Sequence, residues 1–314
     1  MPPPTPWTAD HMPDLSGKTI IVTGGNSGLG YEASLQLAGK GANVVLACRN
    51  TDKARAAIDT ITAQKPGASL EAMELDLASL ASVRGFAKSF LDRHGTLEVL
   101  CNNAGVMALP RRRTPDGFEM QFGTNHLGHF ALTGLLLERL LASSGARIVS
   151  VSSTMHRTGK IHFDDLQWKR RYSKWGAYGQ SKLANLLFTY ELQRKLDTKG
   201  ASLISTACHP GYAATNLQAT GPRMQGSKLM ERMTQLANRL FSQSAAMGAL
   251  PTLYAATSPE VRGGNYIGPD GFAENRGHPR KVGSNARSRD QDVAARLWEV
   301  SESLTGVRYE ALSS

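Results

Sequence analysis

The chain has 314 residues, 41% hydrophobic and 20% charged, enough for one large domain with a substantial core. No low-complexity tract dominates, and no apolar run reaches the roughly 20 residues needed to cross a bilayer, which excludes a transmembrane segment. The net charge of +10 suits an anionic ligand, and the start, Met1-Pro-Pro-Pro-Thr-Pro6, is neither the basic nor the apolar region of an export signal.

Residues 1–16 read as an extended arm. Thr19-Ile-Ile-Val-Thr23 is a buried-strand run, and a helical pattern from Leu29 to Gly39 follows it and stops at Gly39-Lys-Gly41. Between them lies Thr23-Gly24-Gly25-Asn26-Ser27-Gly28-Leu29-Gly30. Glycines let a backbone turn tightly and approach a phosphate closely, while a helix N-terminus offers free N–H groups and a positive dipole end. Its position between a strand and a helix is the context a nucleotide site requires. The second strand, Asn43 to Ala47, leads to Arg49, nineteen residues beyond Gly30. An acidic residue there would bind a ribose diol; an arginine pairs with a 2′-phosphate, so NADP(H) is expected in preference to NAD(H).

A helix from Asp52 to Gln64, broken by Pro66-Gly67, precedes a strand from Ser69 to Leu75. Asp76-Leu77 follows, placed to reach the adenine. A helix from Ser79 to His94 and a strand from Leu97 to Cys101 lead to Asn102-Asn103-Ala104-Gly105. The small residues there leave room for the cofactor's ribose, and Asn102 is placed to tie adjacent strands together. Gly117 to Ala142 holds a long helix, Ala146 to Ser152 a strand, Ala177 to Lys199 a helix and Ser202 to Cys208 a strand. Ser244 to Thr257 is helical, Asn265 to Ile267 is a last short strand, and Arg289 to Leu304 is a helix with Val293, Leu297 and Val300 on one side. This alternation predicts an α/β fold: a single-domain Rossmann-type doubly wound parallel sheet with helices on both faces, over residues 17–270, binding its ligand beyond the strand carboxyl ends. Residues 271–314 form a C-terminal extension whose helix packs on the domain. Two segments fall outside the alternation on the substrate side. Residues 154–176 carry Trp168, Tyr172 and Trp175. Residues 213–243 carry Met224, Met230 and Met233, either as an amphipathic helix on the core or as a mobile lid.

Tyr178 and Lys182 stand four apart in a helix, so they share a face. A free phenol has a pKa of about 10; a neighbouring cation stabilises the phenolate and lowers it, which makes the pair an acid/base device. Cys48, Cys101 and Cys208 have no metal spacing and read as buried reduced thiols of a cytoplasmic protein. His126 and His129 lack a third ligand, so packing or hydrogen bonding is expected and no metal. Basic runs at Arg111-Arg112-Arg113, Lys169-Arg170-Arg171 and from Arg276 to Arg289 come without a nucleic-acid motif; they read as solvated loops near a polyanionic small ligand, with no nucleic-acid partner.

Together these pieces resemble the short-chain dehydrogenase/reductase family from roughly Gly17 to Gly268. The motifs in family order are Thr23-Gly-x-x-x-Gly28-x-Gly30, Asn102-Asn-Ala-Gly105, Ser153, Tyr178-x-x-x-Lys182 and Pro210-Gly211. Thr124-Asn-His-Leu-Gly-His-Phe130, Ser181-Lys-Leu-Ala-Asn-Leu-Leu-Phe188 and the long spacing from Ser153 to Tyr178 look like the retinol-dehydrogenase-like and WW-domain-containing-oxidoreductase-like branch. The resemblance implies that Tyr178 is the general acid or base, that Lys182 binds the nicotinamide ribose and depresses the phenol pKa, and that Ser153 holds the substrate carbonyl. It implies that Asn125 holds a water of the proton relay, and that Pro210, Gly211 and Thr215 border the nicotinamide. Ser152 is the neighbouring candidate to Ser153, and only one of the two can point inward. The expected function is NADP(H)-dependent interconversion of a lipophilic aldehyde or ketone with its alcohol. Carbon–carbon double-bond reduction and a non-catalytic NADP-binding sensor are the alternatives. Pairing of two chains through the Tyr178 helix is a further expectation, with Ala184, Leu186, Leu187 and Tyr190 as either the pairing face or core.

Overall fold

The computed structural model describes residues 6–212 and 243–312. Among these, eight strands form one sheet: β1 (Thr19–Thr23), β2 (Asn43–Cys48), β3 (Ser69–Glu74), β4 (Val99–Asn102), β5 (Arg147–Val151), β6 (Ile204–Cys208), β7 (Tyr266–Pro269) and β8 (Pro279–Lys281). Their spatial order is β3-β2-β1-β4-β5-β6-β7-β8. The first seven pair in parallel, and β8 runs antiparallel to β7. The order reverses between β1 and β4, which opens a crevice at the carboxyl ends of these strands. This is the Rossmann-type doubly wound sheet that the alternation predicts.

Successive strand residues serve opposite faces, as the pleat dictates. Ile20 and Val22 join α1 (Gly28–Gly39), α2 (Thr51–Gln64) and α7 (Ala245–Thr257) through Leu37, Ile61 and Leu253. Ile21 joins α3 (Leu80–Arg93), α5 (Gly128–Ala142) and α6 (Lys174–Thr198) through Phe90, Phe130 and Leu192. Each such side chain stabilises the fold by about 1.5–3 kcal/mol on burial, so the two faces lock the strand register.

The long helix before β5 starts at Met120 because the Glu119 carboxylate caps it, accepting from the N–H groups of Gln121 at 3.0 Å and Phe122 at 2.7 Å. A short α4 (Met120–Phe122) passes through a π turn (Gly123–Leu127) into α5. Asn125 lies in that π turn, a local widening that often occurs at functional sites. Ser173 caps α6, accepting from Gly176 N–H, so the helix begins three residues before the predicted Ala177.

The C-terminal region completes the core. In α8 (Gln291–Thr305), Ala294 and Leu297 pack on Ala184 and Leu187 of α6. Trp298, Val307 and Tyr309 reach Phe130 and Phe188, and Tyr309 Oη donates to the Phe130 carbonyl at 2.7 Å. Leu186 packs with Ala207 and Tyr266, and Tyr190 Oη is 2.9 Å from Ser284 Oγ. The α6 side chains considered for pairing two chains are thus occupied within one chain. Arg111 donates to the Lys169 carbonyl at 2.7 Å, which joins two basic runs into one exposed loop cluster. The three cysteines are free and buried, and no described helix is long and apolar enough to cross a membrane.

Candidate active site

The glycine-rich turn sits at the carboxyl end of β1. Gly24 and Gly28 have φ of +67° and +54°, a region that favours glycine. A Cβ at Gly30 would stand 2.3 Å from the Gly24 carbonyl oxygen and 2.7 Å from Asn103 Nδ2, so only glycine allows α1 to start this close to the turn. Ser27 precedes α1 without a side-chain capping bond, and the first turn holds no acidic residue. The first N–H groups, at Gly28, Leu29 and Gly30, therefore remain for an anion. Asn26 is part-buried in the same turn. Gly24 N–H donates to the Ala47 carbonyl at 2.8 Å, which places exposed Arg49, two residues on, beside the turn. These features fit a dinucleotide: a tight cradle, open donors and a nearby cation.

Asn103, Ala104 and Gly105 close the cradle from β4. Asn103 Nδ2 donates to the Thr23 carbonyl at 2.8 Å, and a Cβ at Gly105 would lie 3.1 Å from Asn125 Oδ1 and 3.6 Å from Lys182 Nζ. At the end of β3, Asp76 accepts from Ala78 N–H at 3.0 Å and Leu77 is buried. One Asp76 oxygen thus shapes the turn following β3.

Tyr178 and Lys182 lie on the buried first half of α6, facing β5. Lys182 Nζ donates to the carbonyl of Val151 at 2.9 Å. Among the described residues it forms no salt bridge, so a buried ammonium has donors to spare for ribose hydroxyls. Burial lowers its pKa to about 8, since desolvation disfavours the charged form. The Tyr178 phenol is pushed up to about 12 by burial, opposed by a hydrogen bond with Ser153. From the spacing in sequence, the Lys182 cation is expected to bring the phenol down. In the structure desolvation wins, with Lys182 Nζ 5.7 Å from the ring centroid and the hydroxyl that opposes it belonging to Ser153. The two serines diverge as alternation requires. Ser152 Oγ donates to the Lys182 carbonyl at 2.8 Å and is buried, while Ser153 faces Tyr178.

Asn125 is fully buried. Its Oδ1 accepts from Val106 N–H at 2.8 Å, and its Nδ2 donates to the Val106 carbonyl at 2.9 Å and to Ser181 Oγ at 3.0 Å. Its side chain therefore splints the loop after Gly105 to α6. His129 Nδ1 is 3.0 Å from the Asn125 carbonyl and Nε2 is 3.0 Å from Thr23 Oγ1. Burial drops the His129 pKa to about 4, so the ring is neutral. A carbonyl only accepts, which fixes the proton on Nδ1 and makes Nε2 the acceptor from Thr23. Thr23 Oγ1 in turn accepts from the N–H groups of Asn103 and Ala104, both at 2.9 Å. One hydroxyl so organises the β4 turn. Spacing alone identified neither Thr23 nor His129 as part of this link; a polar residue closing a buried strand was the available signal for Thr23. His126 Nε2 pairs with Ser301 Oγ at 2.9 Å and ties the π turn to α8.

Pro210 and Gly211 follow β6. Gly211 has φ of +65°, and a Cβ there would lie 2.4 Å from the Asn275 carbonyl oxygen. Thr215 and the methionine-rich stretch lie outside the described residues. The aromatic segment before α6 folds back on the loop after β4, where Tyr172 Oη donates to the Leu109 carbonyl at 2.9 Å; Trp175, in the first turn of α6, is exposed beside the Tyr178 ring, at 6.4 Å between centroids.

Known proteins resemble this chain in sequence and in fold. The short chain dehydrogenase family profile matches residues 18–226. Retinol dehydrogenase 13 of Homo sapiens is 42% identical over 297 residues, covering 93% of this chain and 86% of that protein. Retinol dehydrogenase 14 of Homo sapiens is 40% identical over 308 residues, covering 93% and 88%. Among solved structures, an uncharacterised protein from Mycobacterium paratuberculosis shares 43% identity at a TM-score of 0.80, over 97% of this chain and 99% of that one. A short chain dehydrogenase from Shigella flexneri, complexed with NADP, shares 23% identity at a TM-score of 0.62, over 81% and 98%; that likeness is one of fold.

Proposed function

The chain belongs to the short-chain dehydrogenase family, in its retinol-dehydrogenase-like branch, and from that premise we propose that it interconverts a lipophilic aldehyde or ketone with its alcohol, using NADP(H). The observation that carries this reading is the meeting of Ser153, Tyr178 and Lys182 beside the glycine cradle. When bound, the nicotinamide cofactor supplies the hydride in reduction and accepts it in oxidation.

The residues of the chain supply orientation and the proton. Ser153 donates a hydrogen bond to the substrate oxygen and orients the carbonyl. Tyr178, held neutral at physiological pH by burial, gives its proton to that oxygen as negative charge develops on it. Lys182 turns its spare donors to the nicotinamide ribose and places a positive charge near the phenolate left behind. Asn125 keeps the Gly105–Val106 loop against α6, so that Lys182 and the ribose meet in one register. A serine hydroxyl beside the phenol suits a polar carbonyl better than an apolar double bond.

Arg49 supports the 2′-phosphorylated cofactor, because a guanidinium pairs with a phosphate dianion where a carboxylate would repel it. Trp168, Tyr172 and Trp175 support a lipophilic substrate, as do the names of the retinol dehydrogenases. The buried free thiols support a reducing, cytoplasmic setting. The test is NADPH consumption against a panel of aliphatic and aromatic aldehydes, ketones and enones. Turnover of carbonyls alone supports the reading; turnover of enones alone, or tight NADPH binding without any turnover, contradicts it.

A further inference from the structure

The loop between β7 and β8 lies outside the family match, which ends at residue 226, yet it is bonded into both turns that flank the candidate site. Its carboxylate, Glu274, is largely buried and has two partners. Glu274 Oε1 accepts from Arg157 Nη2 at 2.9 Å, and Oε2 accepts from His209 Nε2 at 3.1 Å. Arg157 ends the short helical turn that Ser153 caps. His209 is fully buried and leads directly into Pro210-Gly211.

The bond to His209 sets its tautomer. With the Nε2 proton committed to the carboxylate, Nδ1 must accept, and it takes the Gly211 N–H at 3.2 Å. The same loop holds the rest of that turn. Tyr212 N–H donates to the Asn275 carbonyl at 2.7 Å. Gln243 Nε2 donates to the Pro210 carbonyl at 2.6 Å, and its Oε1 accepts from Gly277 N–H at 3.1 Å. Ala273 and Glu274 themselves stand at φ of 51° and 57°, a left-handed conformation that costs energy for residues with a Cβ. Strain of this kind persists where surrounding bonds over-determine it, and it concentrates at working sites. The Glu274 carboxyl is held below the usual carboxylate range, chiefly by the His209 hydrogen bond, so it is ionised at neutral pH.

We propose that Glu274 is a positioning residue for the reaction: through Arg157 it clamps the Ser153 turn, and through His209 the Pro210–Gly211 turn, so that the substrate-orienting hydroxyl and the nicotinamide side of the cofactor site keep one fixed separation. The inference rests on the carbonyl–alcohol reading above. Without the carboxylate, the imidazole is free to carry its proton on Nδ1, which would set donor against donor at Gly211. The Ser153 turn would lose its charged tether at the same time.

The test compares wild type with Glu274→Ala and Glu274→Gln in three measurements: thermal unfolding, NADPH affinity by fluorescence titration, and the primary deuterium isotope effect on kcat with 4-deuterated NADPH and an aldehyde from the panel. Loss of a charge-assisted bond is expected to weaken NADPH binding roughly tenfold in the alanine variant. Its isotope effect should rise, because misplaced partners slow the hydride step itself. Glutamine keeps one acceptor and should fall between the two. A fall in kcat with unchanged isotope effect and NADPH affinity within twofold of wild type would overturn the proposal, since loss of folded protein alone gives that result. Should the alanine variant fail to fold, the near-isosteric glutamine variant decides by the same criteria. A wild type that binds NADPH but turns over no carbonyl sinks the functional reading; the titration then decides on Glu274 by itself.

Discussion

Lys182 Nζ donates to the carbonyl oxygen of Val151, the last residue of β5, at 2.9 Å. The bond carries a buried cation to the strand end where the candidate site opens, with burial lowering its pKa to about 8. A buried charge without a counterion is a poor contributor to stability, so its placement points to a ligand. Lys182→Met should leave the melting temperature unchanged or raise it, while lowering kcat/KM for carbonyl reduction by about 100-fold or more. In the wild type the sign of the pH dependence follows from the same shift: as pH rises through about 8, Lys182 loses its charge and reduction slows, while Tyr178, at about 12, keeps its proton. A pH–rate profile with fixed NADPH checks this, and a rate that climbs across that range contradicts it.

Gly30 faces the Gly24 carbonyl at a distance no side chain tolerates. Gly30→Ala must displace the glycine turn or Asn103, with a cost of about 1–3 kcal/mol for overpacking. Thermal unfolding should show that loss, and NADPH affinity should drop roughly tenfold or more. An alanine variant that binds NADPH like wild type would show that the cradle is not the cofactor site.

Arg49 is exposed at the end of β2, so its replacement leaves the fold intact. Arg49→Asp should remove a charge-assisted contact worth about 1.5–3 kcal/mol and shift the NADPH/NADH ratio of kcat/KM by roughly 10–100-fold toward NADH. An unchanged ratio removes the assignment of cofactor preference.

Thr23 receives two backbone N–H groups and donates to His129. Thr23→Val keeps the shape and leaves the Ala104 N–H without its acceptor, while the Asn103 N–H keeps the Cys101 carbonyl at 2.9 Å, at a cost of about 1–2 kcal/mol. Denaturant unfolding should show that loss together with weaker NADPH binding. His129→Asn tests the same link from its other end and should share most of the effect, because coupled partners are not additive.

Much of this architecture is legible in the residues themselves. The runs Ile20–Val22 and Val44–Ala47 are apolar throughout because both faces of a parallel strand are covered, and each glycine of the first turn answers a positive φ or a close approach. Other features are written in three dimensions only. β8 has one buried residue, Pro279, followed by exposed Arg280 and Lys281, too short for any alternation. The π turn around Asn125 interrupts no hydrophobic pattern. Spacing brings Tyr178 and Lys182 to one helix face, but it does not reveal that both are buried, and burial reverses the expected direction of the phenol shift. Glu274 lies in Gly-Phe-Ala-Glu-Asn-Arg-Gly, which reads as an ordinary loop until His209 and Arg157 are seen to meet it.

The central claim is that the Tyr178 phenol delivers the proton to a carbonyl oxygen. Stopped-flow mixing of NADPH-loaded enzyme with a saturating aldehyde, for wild type and Tyr178→Phe, tests it most directly. The expected result is NADPH affinity that matches wild type and NADPH oxidation slower by roughly 100- to 10,000-fold, the range of a lost general acid. Oxidation within a few-fold of wild type would contradict the claim and assign the proton to another group.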